Sequence, residues 1–161
     1  PYDRGVSRVI LTESAEIFRR LTGAELCSLI LFDSDGQMDE SILSRGEIAA
    51  DLTREIVAQV LQEGLAGWVF THHIVGLVDN SARDDRWIDL PGQPYKAGSA
   101  ICLPIISAEQ VLGVLTLTHS EPAYFKQEMV DVMSLAVNQI ALIIENVNLF
   151  NHLSESYADL G

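Results

Sequence analysis

The stretch Gly64-Leu65-Ala66-Gly67-Trp68-Val69 bears most directly on the fold of this 161-residue chain. It follows a segment whose apolar residues recur at helical spacing, and its two glycines interrupt that pattern. Glycine favours the left-handed position that follows a helix, which we predict for Gly64. The small size of Gly67 allows close helix packing, and Trp68 supplies bulk for packing beneath a sheet. We therefore predict a helix, a break at Gly64 and a short helix over about 65–71.

The other segments alternate between the periods of helices and strands. An N-terminal amphipathic helix is predicted over 6–22. Strands are predicted at Leu26–Phe32, Met38–Ser44, Ile74–Val78, Ser99–Ser107 and Val111–His119. Short polar turns join the first two and the last two of these strands, so we expect two hairpins. Pro104 lacks a ladder donor, and its strand should have an edge or a bulge there.

A long helix is predicted from about Pro122 to at least Leu153, with the proline in the first turn, where it is tolerated. Two apolar seams with heptad spacing run along this helix. The first seam is Met129, Met133, Ala136, Ile140, Ile143, Val147, Phe150 and Tyr157, and the second seam is Val132, Leu135, Leu142, Leu149 and Leu153. We expect one seam to face the sheet and the other a second copy of the chain, with 146–161 leaving the domain as an exit helix. The alternative is that one monomer buries both seams.

Composition argues against several classes of protein. The length is that of one domain, and 48% hydrophobic with 20% charged residues is ordinary for a globular fold. A formal charge of −13, from 10 basic and 23 acidic residues, argues against nucleic acid as a partner. The unbroken apolar runs are too short for a membrane span in this fragment, and we expect a cytoplasmic location. Because the chain opens with Pro1 and enters a helical pattern at once, we expect it to be part of a longer protein.

Five short stretches in a fixed order resemble the GAF domain family: Gly64–Val69, Val75–Asn80, Asp85-Arg86-Trp87, Ser99–Ile105 and Gly113–Leu117. The resemblance covers nearly the whole chain and implies a single domain over residues 1–161. It implies an α+β fold with a central antiparallel sheet of about six strands, helices on one face, a pocket on the other, and long terminal helices. It also implies a sensory or regulatory role within a larger signalling protein.

The polar segment 79–98 has neither period and is rich in glycine and proline. A segment of this kind in a compact domain is typical of a binding loop or lid, so we expect it to cover the pocket. A short helix near its end, if one forms, would present backbone N–H groups to an anion. The candidate ligand-binding residues are its polar and aromatic groups Asp79, Asn80, Arg86, Trp87 and Tyr95. For each of them, a role in stabilising the loop is an equal alternative.

The chain departs from the sequence motifs of known GAF subclasses, and these departures argue against three kinds of ligand or reaction. Bilin-binding members attach their chromophore through a cysteine beside the pocket, and neither Cys27-Ser28 nor Cys102-Leu103 matches that arrangement. Cyclic-nucleotide members carry an Asn-Lys pair where this chain has His119-Ser120, which weakens that assignment. Members that reduce free methionine sulfoxide use several cysteines around the pocket, whereas both cysteines here lie in predicted strands. We therefore predict no catalytic residue.

The pair His72-His73 suggests a metal or haem site, since imidazole is a common ligand. Adjacent side chains on a helix point about 100° apart, so they rarely bind the same ion. No further histidine lies nearby in the sequence, and we predict no metal site. The sequence names no cofactor.

Three functional hypotheses follow. The leading one is a noncatalytic sensory domain that binds an unidentified small molecule, forms a homodimer through its terminal helices and relays a signal to a covalently attached output domain, such as a histidine kinase or cyclase. A structural dimerisation module with an empty pocket is the first alternative. The second is a redox enzyme of the methionine sulfoxide reductase type, which would need Cys27 or Cys102 to face the pocket.

Overall fold

The computed structural model describes residues 4–90 and 92–160, except for the side chains of 4–7, 147, 148, 150–152, 154, 155 and 158–160. Four α-helices form within these residues: α1 (Arg4–Thr22), α2 (Arg54–Glu63), α3 (Leu65–His72) and α4 (Gln127–Leu160). Five strands form as well: β1 (Leu26–Phe32), β2 (Met38–Ser44), β3 (Gly76–Val78), β4 (Ser99–Ser107) and β5 (Gln110–His119). A single turn of 3₁₀ helix spans Ser81–Arg83.

The strands form one antiparallel sheet in the order β2-β1-β5-β4-β3. The predicted α+β class is confirmed, and each strand predicted from residue patterns is present. The sheet of the described residues has five strands. The family resemblance implied about six, whereas the residue patterns themselves predicted these five. The polar segment 79–98 between β3 and β4 forms a loop instead of adding a strand.

Antiparallel pairing sorts the side chains of the sheet onto two faces. In β1, Cys27 and Leu29 lie on the face that packs against α1 and α4, whereas Ser28 and Ile30 lie on the other face. That second face packs against α2 and α3 through Val57, Leu65, Ala66 and Val69. The pocket face therefore carries two short helices in addition to the long helices expected on the opposite face. Amphipathic α2 needs a surface on which to bury its apolar side, and the sheet supplies it.

Gly64 separates α2 from α3 as predicted, but its backbone is extended, with φ −104° and ψ −172°, rather than left-handed. Its N–H donates to the Val60 carbonyl oxygen at 3.0 Å, which ends α2 without a left-handed residue. Gly67 is required by a close approach, because an added Cβ would lie 2.0 Å from the Leu61 carbonyl oxygen.

α4 begins later than predicted. Its first residue is Gln127, and Pro122 lies in the turn before it rather than in the first helical turn. In this turn Ala123 takes φ +55°, and its N–H donates to the Asp79 carbonyl oxygen at 2.7 Å. This long-range hydrogen bond holds the segment out of the helical conformation, and the proline alone gave no sign of it.

Pro104 lies beyond the end of β3. The short strand β3 pairs with β4 only over Ala100–Cys102, so β4 has an open edge at Pro104. The register of β4 against β5 also shifts between Ile105 and Ile106. An edge at Pro104, one of the two alternatives predicted for this residue, is present, and the irregularity in the ladder lies just after it.

The two seams of α4 differ in burial. Met133 and Ile140 of the first seam are buried against the sheet, so we call it the inner seam. Its Val147 and Phe150 lie outside the described side chains, and its last residue, Tyr157, is 74% exposed. The second seam, which we call the outer seam, is 49–72% exposed at Val132, Leu135, Leu142, Leu149 and Leu153. A single copy of the chain therefore buries the first part of the inner seam and leaves the outer seam in solvent.

The segment Gln127–Asn146 of α4 is long and apolar enough to cross a membrane by length and composition. The unbroken apolar runs did not indicate this, because polar residues such as Asp131 and Asn138 interrupt the segment. One side of the segment is buried in the core through Val130, Met133, Val137, Ile140, Ala141 and Ile144. We therefore interpret it as a core helix with an exposed apolar stripe.

Glu16 fastens α1 to the edge of the sheet. Its carboxylate accepts hydrogen bonds from Arg19 and Arg20 of α1 and from the Ser44 hydroxyl of β2. The hydrogen bond from Arg19, followed by that from Ser44, lowers the pKa of Glu16 to about 2. The carboxylate is therefore charged at neutral pH, and α1 is attached to β2 by a charged group.

We predict that Gly67→Ala destabilises the protein more than Gly64→Ala. At Gly67 the new methyl group overlaps a backbone carbonyl, whereas at Gly64 the nearest atoms are 3.0–3.3 Å away. The overlap should lower the free energy of unfolding by roughly 1–3 kcal/mol in Gly67→Ala, and Gly64→Ala should lose less. Urea unfolding of the two variants measures the difference. Equal losses would contradict the assigned close approach.

Candidate functional site

A cavity of about 160 Å³ lies on the face of the sheet that carries α2 and α3. Strands β1, β2 and β5 form its floor with Leu26, Ser28, Ile30, Leu43, Thr116 and Thr118. The helices and the segment before them form its walls with Leu52, Ile56, Val60, Leu65 and Ala66. The loop 79–98 closes it with Trp87–Leu90, Gln93 and Tyr95–Ala97. The loop thus covers a pocket, as predicted.

Hydrogen bonds between its two ends hold the loop in place. The Ser81 N–H donates to the Gly98 carbonyl oxygen at 2.9 Å, and the Ser81 hydroxyl donates to the Ala97 carbonyl oxygen at 2.7 Å. The described part of the loop has its helical turn at the beginning, Ser81–Arg83, and not near the end as expected. This turn is held by the cap of Asn80, a signal that favours its position at the start. The described end of the loop therefore has no helix that could present backbone N–H groups to an anion.

Three hydroxyl groups interrupt the apolar floor. Ser28 of β1 pairs directly with Thr116 of β5, and Thr118 lies two residues farther along β5 on the same face. Thr116 donates to the Cys102 sulfur at 3.2 Å, and the Thr118 hydroxyl oxygen lies 3.5 Å from the Tyr95 hydroxyl oxygen. The Ser28 hydroxyl has no hydrogen bond to another side chain or backbone group in the described part of the chain. The floor therefore offers hydrogen-bonding capacity to a ligand.

The charged side chains of the lining lie at its rim. Asp51, Asp89 and Lys96 are all exposed. The lining residues that are buried, such as Ile30 and Leu65, carry no charge. The buried part of the lining therefore contributes no charged side chain.

Two of the five candidate residues, Trp87 and Tyr95, line the cavity, whereas Asp79, Asn80 and Arg86 do not. Asp79 is exposed, and its carbonyl oxygen anchors the turn before α4. The Asn80 side chain accepts from the N–H two residues on, at 3.0 Å. Both residues stabilise the loop, which was the alternative role. Ligand contact stays a prediction for all five residues, of which Trp87 and Tyr95 line the cavity.

Arg86 supports the cavity from outside. Its guanidinium pairs with Asp84 at 2.8 Å, donates to the Leu77 carbonyl oxygen at 2.9 Å and lies 4.6 Å from the centre of the Trp68 ring. The hydrogen bond to Asp84 raises the pKa of Arg86. These contacts attach the loop to β3 and α3 and thereby position the neighbouring Trp87.

Tyr95 connects the cavity to the end of α1. Its hydroxyl donates to Glu25 Oε1 at 3.1 Å, and Glu25 lies just beyond the last residue of α1. Burial raises the pKa of Tyr95 to about 12, so the hydroxyl keeps its proton at neutral pH. Burial alone would raise the pKa of Glu25, but hydrogen bonds from Ser120 and Tyr95 outweigh it and lower that pKa. The contact is therefore a neutral donor on a charged acceptor, which is a strong type of hydrogen bond.

The carboxylate of Glu25 also reaches the segment that leads into α4. It accepts a hydrogen bond from the Ser120 N–H at 2.5 Å. Tyr124, in the same segment, donates to the carbonyl oxygen of the last residue of α1 at 3.3 Å. We name residues 22–25 and 119–124 the helix junction, because they tie the end of α1 to the segment before α4. Tyr95 attaches the cavity to this junction.

The floor of the cavity was missed by the sequence reasoning. Ser28, Thr116 and Thr118 are the polar residues that interrupt two otherwise apolar strand segments, so a signal was present. To place these hydroxyl groups side by side, one must know the register between β1 and β5. The alternation of residues within a single strand does not give that register. Lys96 and Gln93 carried no comparable signal in a loop without a period.

Both cysteines are fully buried. Cys27 packs in the core beneath α1 and α4, and Cys102, on the cavity side, lies behind the floor and outside the lining. Burial raises the pKa of each thiol to about 12. A buried thiol of this kind is not a nucleophile at neutral pH, so the reductase hypothesis lacks the cysteine it needs at the cavity.

His72 and His73 end α3 and serve different purposes. His72 stacks on Trp68 with ring centroids 4.4 Å apart, and its Nδ1 lies 2.8 Å from the Trp68 carbonyl oxygen. His73 takes φ +62° and closes the helix in the left-handed conformation. In residues 4–90 and 92–160, no group of three or more His, Cys, Asp or Glu side chains could hold a metal ion.

A family model described as GAF domain matches residues 7–145, which is most of the chain. The chain belongs to the GAF domain family. The family is generally regulatory, so the cavity lies in a domain type associated with signalling rather than catalysis.

Solved structures share this fold at low sequence identity. The GAF domain of a phosphoenolpyruvate-protein phosphotransferase from Coxiella burnetii is 17% identical with a TM-score of 0.74, covering 91% of this chain and 86% of that chain. The second GAF domain of DevS from Mycobacterium smegmatis is 18% identical with a TM-score of 0.67, covering 91% and 99%. A type II free methionine-R-sulfoxide reductase from Thermoplasma acidophilum is 10% identical with a TM-score of 0.69, covering 88% and 94%. These likenesses show the fold alone. Among curated proteins, no significant match was found.

We predict that neither cysteine of the folded GAF domain reacts with a thiol reagent such as DTNB. Both thiols are buried and protonated, so labelling should await unfolding, whereas both should react rapidly in denaturant. Absorbance at equal reagent concentration with and without denaturant measures this. The variants Cys27→Ser and Cys102→Ser identify which thiol reacts. Rapid labelling of Cys102 in the folded protein would restore the reductase hypothesis.

Proposed function

We propose that this GAF domain is a noncatalytic sensory domain that binds a small molecule in its cavity. The terminal helices would pass the state of the cavity to an output domain attached in the full-length protein. The hydrogen bond between Tyr95 and Glu25 carries this proposal, because it joins the cavity lining to the helix junction. A ligand that displaces or fixes Tyr95 changes the hydrogen bonding at the point where α1 ends and the approach to α4 begins.

Coupling of this kind needs a ligand that prefers one arrangement of the helices over another. Tyr95 provides such a preference, since the ring lines the cavity while the hydroxyl contacts the junction. Structures with the same fold include the second GAF domain of DevS and a fragment of a methyl-accepting chemotaxis protein. They support the proposal of an attached output domain. We propose a histidine kinase or a cyclase as the kind of output domain and the cytoplasm as its location.

We further propose that two copies associate through the outer faces of α1 and α4. α1 exposes Ile10, Ile17 and Leu21, which are 40%, 54% and 78% exposed and share one side of the helix. α1 also contacts α4, so the two exposed stripes lie on neighbouring helices. A large continuous apolar surface on a soluble domain usually marks an interface. The heptad spacing of the outer seam favours a parallel pairing of two α4 helices.

The sensory proposal predicts that Tyr95→Phe loosens the loop and the helix junction together. The substitution removes one hydroxyl and keeps the ring, so the cavity lining is preserved while both sides lose the same hydrogen bond. Amide hydrogen exchange should quicken in residues 87–97 and in peptides covering 22–25 and 119–124. Exchange followed by mass spectrometry measures both regions in one experiment.

The control for this experiment is Tyr157→Phe, which removes a hydroxyl from an exposed side chain of α4. It should leave exchange in both regions unchanged. Faster exchange in the loop alone after Tyr95→Phe would contradict the proposed connection between the cavity and the helices.

The dimer proposal predicts that Leu135→Glu combined with Leu142→Glu converts the protein to a monomer. Both side chains are more than half exposed, so charge there should leave the fold intact while opposing burial in an interface. Light scattering on a size-exclusion column measures the mass, and circular dichroism checks the fold.

Gln59→Glu combined with Gln62→Glu is the matched control. It adds the same two charges at exposed positions of α2, on the opposite face of the sheet. The control should keep the mass of the unmodified protein. The same mass for the leucine variant as for the control would contradict an interface at the outer seam.

A further inference from the structure

The cavity favours a narrower class of ligand than a sensory function requires, and this inference rests on the proposed function. Aliphatic and aromatic side chains dominate its floor and walls, among them Leu26, Ile30, Ile56, Val60, Leu65 and Trp87. Such a surface gains free energy mainly by covering the apolar surface of a ligand. Most of the ligand must therefore be hydrocarbon.

The distribution of charge disfavours an ionised ligand. The charged side chains of the lining, Asp51, Asp89 and Lys96, are exposed, and the floor itself carries no charged group. Burial of an unpaired charge costs much more than burial of a hydrogen-bonded neutral group. Two carboxylates at the rim, on a chain of net charge −13, also repel anions.

The cavity has room for about one ring. Its volume is about 160 Å³. An engineered apolar cavity of about 150 Å³ in another protein holds a benzene molecule. A nucleotide, which combines a base, a sugar and a phosphate, exceeds this space.

The floor supplies one place for a polar group. The Ser28 hydroxyl has no partner among the described residues, and Thr116 stands directly opposite it in the neighbouring strand. Thr116 donates its proton to the Cys102 sulfur and so keeps its oxygen lone pairs for an incoming donor. A ligand hydroxyl between the two strands could donate to Thr116 and accept from Ser28.

We propose that the cavity binds a small uncharged compound of the phenol class, with its ring against Trp87 and the aliphatic walls and its hydroxyl between Ser28 and Thr116. Each part of this assignment follows from a separate feature: the apolar lining selects the ring, the uncharged interior selects a neutral group, and the paired hydroxyls select a group that both donates and accepts.

Phenol, toluene and benzoate test the assignment, because they share a ring and differ in one substituent. Titration of the isotope-labelled domain, followed by amide resonances in NMR, reports affinity and location together. Phenol should shift resonances of Ser28, Thr116 and Trp87. Toluene should bind about tenfold more weakly, since it leaves the floor hydroxyls without a partner. Benzoate should not bind, because its charge has no counterpart in the interior.

Thr116→Val and Ser28→Ala test the site of the hydroxyl. Each should reduce the affinity for phenol toward that for toluene while leaving toluene binding unchanged. Ser28→Ala removes no hydrogen bond within the described residues, so it remains informative if Thr116→Val fails to fold. Thr71→Val, on an exposed part of α3, is the control and should change neither affinity.

The outcomes separate this inference from the proposed function. Equal affinities for phenol and toluene would overturn the role of the hydroxyl pair. Binding of benzoate in preference to phenol would overturn the neutral class but support a ligand-binding cavity. No shift of cavity resonances with any of the three compounds would overturn the phenol class. If a broad fragment mixture also left these resonances unshifted, the sensory function itself would fail.

Discussion

The pairing of β1 with β5 at the centre of the sheet is the constraint on which the other parts of this domain depend. Because successive side chains point to opposite faces, this pairing places Leu29 and Leu115 under the long helices and Ser28 beside Thr116 in the cavity. A slip of one residue would exchange the two sets, putting hydroxyls into the core and leucines into the cavity. Burial of the leucines therefore fixes the register, and the register in turn fixes the position of the hydroxyl pair.

The same sheet keeps the cavity and the proposed dimer surface apart. The cavity lies on the face of the sheet that carries α2 and α3. The exposed apolar stripes belong to α1 and α4, on the sides of these helices that point away from the other face of the sheet. The interior between them is close-packed around side chains such as Leu103 and Leu117, so an interface on one side does not block the cavity on the other. Communication then depends on contacts at the end of the sheet, where the loop meets the helix junction.

The sequence predicted those parts of the structure that depend on local periodicity. The five strands, the helix before Gly64 and the two seams of α4 all repeat at a period that burial imposes on neighbouring residues. Features set by distant residues were not predictable in this way. The late start of α4 depends on a hydrogen bond between Ala123 and Asp79, and the extended backbone of Gly64 depends on how tightly α3 approaches α2. At the candidate site, Trp87 and Tyr95 could be chosen as aromatic residues of a loop, but the floor required knowledge of which strands are neighbours.

The contact between Tyr95 and Glu25 spans 70 positions in the sequence, and its energy suits a signalling role. A hydrogen bond to a charged group contributes roughly 1.5–3 kcal/mol to stability, and partial exposure of Glu25 places this one near the lower end. Coupling free energies between sites are typically about 1–3 kcal/mol. Formation or loss of this single bond is therefore large enough to couple the cavity to the helices. The junction is packed tightly enough to respond, because a Cβ at Gly23 would lie 2.1 Å from the Tyr124 hydroxyl oxygen. A displacement of Glu25 must therefore be taken up by α1 or by the segment leading into α4, and both continue toward the surface through which two copies would meet.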